Sequence, residues 1–138
     1  MDCARLTAKL MRLNIRWADA LWKTVSEAAA DCSAAAMRLA PEGTGRRTEK
    51  RLKSSFSSHC TRQKEIFQGI CMVENPHAAY VEFGTGRRGA ATGAGAEYDP
   101  DWPGMAAQPY MQPAADEQLE RFPAAAAEAL RRVTGGNL

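Results

Sequence analysis

Apolar and small residues recur at steps of three or four from Leu6 to Leu39, through Leu10, Leu13, Trp17, Leu21, Val25, Ala28, Cys32 and Ala35. One face of a helix requires that spacing. The opposite side carries Arg5, Lys9, Arg12, Arg16, Lys23, Glu27 and Asp31, while Met11 and Trp22 fall beside the stripe. No glycine or proline interrupts before Pro41. Residues 1–40 are therefore predicted to form one helix, on the order of 50 Å long at ~1.5 Å per residue. That exceeds what a compact domain of this size needs. Its surplus apolar surface packs either on something outside the domain or under the C-terminal helix.

Residues 41–111 read as a small sheet with a short helix and a loop. Pro41-Glu42-Gly43-Thr44-Gly45 ends the first helix. Two strands are expected, Leu52 to Cys60 and Gln63 to Glu74, with Thr61 to Lys64 as hairpin loop. Gly69 inside the second strand points to a bulge or a close backbone contact. Asn75-Pro76-His77 is a turn signal, and His77 to Phe83 reads as a short helix with Tyr80 and Phe83 on one face. Gly84 then takes a left-handed position that closes it. Glu82 stands beside apolar groups that are expected to be buried. Either it is buried, with an arginine or backbone N–H groups as partner, or it is a capping or surface glutamate.

Gly84 to Gly104 is rich in glycine and alanine and shows no periodicity; loops of that length are commonly functional or disordered. Pro109-Tyr110-Met111-Gln112-Pro113 opens the last helix, placed at residues 112–134, with Pro113 in its first turn. The stripe Ala115, Leu119, Phe122, Ala126, Leu130, Val133 continues through Pro123, where a kink is expected. Gly135-Gly136 ends it. The expected fold class is α+β in a single domain, residues 1–138: a long N-terminal helix, a small antiparallel sheet with a possible third strand before the last helix, a short helix, a glycine-rich loop and a kinked C-terminal helix.

Composition narrows the function classes. Of 138 residues, 45% are hydrophobic and 25% charged, with a net charge of +2. That is ordinary for a globular chain and sets no global demand for nucleic acid. Cys3, Cys32, Cys60 and Cys71 lie far apart, which argues against a zinc ribbon or a disulfide framework and for thiols in a reducing compartment. No apolar run approaches a membrane span, and the N-terminus lacks a signal-peptide block, so synthesis in the cytoplasm is expected.

The chemical motifs are weak. Gly84-Thr85-Gly86-Arg87-Arg88-Gly89 matches G-x-G-x-x-G, but a dinucleotide site needs a helix opening there and an acid further on. His59 and His77 have no second ligand at metal spacing, and neighbouring strand residues His59 and Cys60 point to opposite faces. Glu97-x-Asp99-x-Asp101 lacks the glycine and final glutamate of a calcium loop. No catalytic constellation, metal site or cofactor is expected. The strongest electrostatic features are Arg46, Arg47, Lys50 and Arg51, with Arg87-Arg88. These suit a polyanion or an acidic partner surface, or simple solubility.

Several separated pieces resemble one family. They are Ala40-Pro41 with Thr44-Gly45, Leu52-Lys53-Ser54-Ser55-Phe56, Ala79-Tyr80-Val81-Glu82-Phe83-Gly84-Thr85-Gly86, and Gln108-Pro109-Tyr110-Met111-Gln112-Pro113-Ala114. Their order is similar to the tail-completion, or head–tail joining, proteins of long-tailed bacteriophages. That family has an Ala-Pro…Thr-Gly turn, a Leu-x-x-Ser-Ile strand, a Tyr-Val-Glu-Phe-Gly-Thr-Gly segment and a Pro-Phe-Leu-x-Pro-Ala helix entry. The resemblance runs from about Ala40 to the C-terminus, and the long first helix also fits. Extra, mostly basic residues between Gly45 and Leu52, and Tyr110-Met111 in place of Phe-Leu, depart from it. The resemblance implies a virion structural protein without cofactor or reaction. It would form a ring, a hexamer, at the neck between head-closure ring and tail tube or tail terminator. Tyr80 to Gly86, Pro109, Tyr110 and Pro113 would be the motif and interface residues, and channel DNA a non-specific contact. The alternative is a small nucleic-acid-binding protein that uses the basic loops.

Overall fold

The structure, a computed structural model, describes residues 3–42, 52–89 and 101–135. Helix α1 is Cys3–Leu39. Strands β1, Phe56–Gln63, and β2, Ile66–Val73, form an antiparallel hairpin. A short helix α2, Ala78–Phe83, leads into a 3-10 turn at Gly86–Arg88. Helix α3 is Met111–Thr134. The architecture is α+β, as the patterning predicts. Among the described residues the sheet has two strands, so the possible third strand is absent.

Helices α1 and α3 pack antiparallel. Leu13 and Trp17 share a cavity wall with Val133 and Thr134 at one end, and Arg38 reaches Glu117 at 3.6 Å at the other. Small residues permit this approach: Ala35, Ala36, Ala40, Ala78 and Ala114 form the core with Leu52 and Tyr110. Tyr110 is the largest side chain with no exposed surface, and its ring meets Phe56 edge-on at 5.6 Å between centroids. Helix α3 runs through Pro123 as one element; the missing proline N–H removes one rung of its hydrogen-bond ladder.

The periodic stripe on α1 is covered only in part. Thr24, Ala29, Ala35 and Ala36 are the buried positions, and the Thr24 hydroxyl donates to the Ala20 carbonyl at 3.0 Å. Leu6 and Leu10 remain 45% and 57% exposed, and Met11 and Ile15 more than 60%. Cover by the C-terminal helix, one of the two readings of the overlong helix, is observed for part of its length. Helix α3 covers the middle, and the first turns extend past effective cover.

The hairpin is tighter than predicted. Its register runs from Phe56↔Val73 to Gln63↔Ile66 without a bulge. The loop is Lys64-Glu65, with Lys64 at φ 54°, and residues 52–53 are helical rather than extended. Gly69 makes the close contact. A Cβ there would lie 2.9 Å from the Ala29 Cβ and 3.1 Å from the Val25 carbonyl oxygen on α1.

Candidate functional site

Asn75, Pro76 and His77 turn the chain into α2. The Asn75 side-chain oxygen accepts from the His77 N–H at 2.9 Å, and its carbonyl accepts from the Ala78 N–H at 3.0 Å. This Asx turn aims the helix so that Ala78 and Glu82 point inward. Tyr80 is half-buried and Phe83 is 55% exposed. The face expected from Tyr80 and Phe83 is therefore not the buried one; the carboxylate between them goes inside.

Glu82 is only 6% exposed. Its Oε2 accepts from the backbone N–H of Tyr110 at 2.7 Å and of Met111 at 2.9 Å, and its Oε1 accepts from the N–H of Gln112 at 2.9 Å. These amides open α3 and have no partner within it. Tyr110, at the cap position, makes no side-chain capping bond of its own. The next residue, Pro113, has no N–H to leave unpaired. One carboxylate from α2 therefore completes the start of a helix far along the chain and meets its positive dipole end. The backbone N–H partner foreseen for Glu82 is the observed one, rather than an arginine.

The Tyr110 hydroxyl donates to the Ala78 carbonyl at 3.2 Å. Burial, and secondarily the Glu82 carboxylate, pushes the Tyr110 phenol up to about 12. Pro109 is exposed beside this cluster.

A second set of contacts extends the clasp. The Thr85 N–H donates to the Met105 carbonyl at 2.8 Å, and the Met105 N–H is shared between the Thr85 carbonyl and hydroxyl oxygens, each at 3.1 Å. Gln108 N–H donates to the Val81 carbonyl at 2.8 Å. Gly84 and Gly104 both have positive φ, 70° and 75°. A Cβ on Gly104 would fall 1.9 Å from the Thr85 carbonyl oxygen, and one on Gly84 2.5 Å from that of Met105. Gly84 leaves α2 with ψ 177° rather than in the left-handed helical well. The glycines of the G-x-G-x-x-G match thus serve close backbone approach within the chain, and a 3-10 turn, not a long helix, follows them.

Two halves of the sequence motif, Tyr80 to Gly86 and Pro109 to Pro113, meet in this one site. Arg87 and Arg88 are exposed on the adjoining turn. Arg46, Arg47, Lys50 and Arg51 lie outside the described residues, as does Glu97-x-Asp99. Histidines 59 and 77 do not join other ligands, and no group of His, Cys, Asp and Glu among the described residues is arranged to hold a metal. No helix among them is long and apolar enough to cross a membrane.

One feature escaped the sequence. An open cleft of about 430 Å³ lies between α1, β2 and α3, lined by Ala28, Cys32, Phe67, Leu119 and Phe122 among others. Cys71 also borders it, and burial raises its thiol to about 11, with Cys32 beside it adding to the shift. The chain matches no family model, no curated protein and no solved structure.

Proposed function

We propose that the chain is a structural subunit of a bacteriophage neck, a tail-completion or head–tail joining protein that assembles into a ring, a hexamer, between the head-closure ring and the tail. The observation that carries this reading is the clasp. The most specific piece of the family resemblance, Tyr80 to Gly86, is bonded through Glu82 to the helix-entry piece at Tyr110, 28 positions on, and the two serve a single structural purpose. Glu82, Gly84, Thr85 and Tyr110 act on backbone groups of their own chain, which suits a rigid building block. The overlong α1 with its uncovered first turns supplies surface for neighbours.

The test is genetic. In a phage carrying this gene, its disruption should yield DNA-filled heads and finished tails that do not join, and purified protein added back should restore joined particles. Normal particles without the protein would reject the reading. Tight DNA binding by the isolated chain that weakens steeply with salt, with particles unaffected, would favour the nucleic-acid alternative instead.

A further inference from the structure

The first turns of α1 form a basic amphipathic surface. Between Cys3 and Ala18 there are four bases, Arg5, Lys9, Arg12 and Arg16, and no acid. At about 3.6 residues per turn their spacing puts all four on one stripe. Around it Leu6, Leu10, Met11 and Ile15 are 45–64% exposed. This end is poorly seated on its own chain. A cavity of about 630 Å³ separates Leu6 and Leu10 from Val133 and Thr134, and the indole N–H of Trp17 is buried without a hydrogen-bond partner.

The cleft between α1, β2 and α3 is the complement. Its floor is apolar, and Leu119 on its wall is 70% exposed. Beside the cleft-lining Ala115 and Leu119, α3 carries exposed Asp116, which accepts from the Gln112 side-chain amide at 2.8 Å, and exposed Glu120. The neighbouring base Arg121 is already held by Glu117 at 2.8 Å, so it does not cancel them. The α1 start cannot reach this cleft in its own molecule. Helix α1 is continuous, and Met11 and Ala28 on it stand about 25 Å apart at ~1.5 Å per residue.

We propose that the N-terminal turns of α1 of one copy dock into the α1–β2–α3 cleft of the next copy. Met11 and Ile15 cover Leu119 and Phe67, and Arg12 and Arg16 face Asp116 and Glu120. Helix-in-groove recognition uses this combination of apolar anchors and charge. The contact is heterologous, joining two different surfaces, and so repeats from copy to copy into a ring or filament. Its functional meaning rests on the ring reading above; the contact itself does not.

Sedimentation of the full chain over a concentration series tests it. The wild type should associate beyond a dimer. A Met11→Ser/Ile15→Ser variant and a Leu119→Ser variant should each stay monomeric, with unchanged circular dichroism because all three side chains are exposed. An equal mixture of the two variants should give dimers and nothing larger, since one intact knob meets one intact groove. Arg12→Glu should weaken association at least tenfold, and Glu120→Arg added to it should recover most of that loss. A wild type that is monomeric at millimolar concentration, whether or not it binds anionic vesicles, overturns the proposal. So does a variant mixture that stays monomeric while the wild type associates. If particles contain the ring but these variants still build it, the contact falls and the neck reading stands. If the contact forms but no particle neck contains the protein, the reverse holds.

Discussion

Removing the Glu82 carboxylate should destabilise the whole chain, because the start of α3 depends on it. Three backbone N–H groups donate to it at 2.7–2.9 Å, in a site where the glutamate is 6% exposed. Hydrogen bonds to charged groups contribute about 1.5–3 kcal/mol each. A carboxylate at a helix N-terminus adds about 0.3–1 kcal/mol. Bonds sharing one acceptor group do not add fully. Glu82→Gln keeps one acceptor oxygen but turns an amide donor toward a backbone donor, so a loss of about 2–4 kcal/mol is expected. Glu82→Ala leaves three helix-opening donors without their carboxylate, the Tyr110 N–H among them buried, and should lose more. For a chain of this length the Gln change lowers the thermal midpoint by about 6–16 °C. Urea unfolding followed by circular dichroism measures the loss, and hydrogen exchange at Tyr110, Met111 and Gln112 locates it. High salt should leave the effect intact, since buried pairs are little screened. A loss under about 0.5 kcal/mol, the range of ordinary surface substitutions, would refute the clasp as a source of stability.

Other positions give independent checks. Gly69→Val should lose about 1–3 kcal/mol in urea unfolding by pushing β2 off Ala29 and Val25. Gly104→Ala and Gly135→Ala share a positive φ but differ in space; the second should lose only the ~1–2 kcal/mol of left-handed strain, the first clearly more, by the same assay. Tyr110 titrates near 10 when unfolded and about 12 when folded. Its stabilisation is therefore complete below pH 10 and fades as pH rises to 12, and Tyr110→Phe should lack that step in unfolding curves between those limits. Exposed Cys3 should be alkylated at pH 8 well before Cys71, whose thiol ionises only near 11, as mass spectrometry of timed samples would show.

The local pattern carried much of the fold. Uninterrupted helical spacing to Leu39 and the glycine at Gly135 each encode a nearest-neighbour preference, and each element formed where that preference lay. For Glu82 the sequence left open an arginine partner, backbone N–H partners, or a capping or surface position, because its partners begin 28 residues away and no local spacing encodes that pairing. Phe83 misled for the same reason: periodicity says which residues share a face, not which face another element covers. Leu6 and Leu10 show this again, since they continue the stripe past the part α3 protects. The hairpin loop was overestimated because Lys64 adopts a positive φ that a glycine or asparagine would have advertised.

Cryo-electron microscopy of particles from a phage that encodes this chain tests the central claim most directly. A closed ring of this protein is expected at the neck, between head-closure ring and tail, with the start of α1 from each subunit seated in the cleft of the next. Particles whose neck density accommodates no copy of the α1–α3 pair with its Glu82 clasp would contradict it.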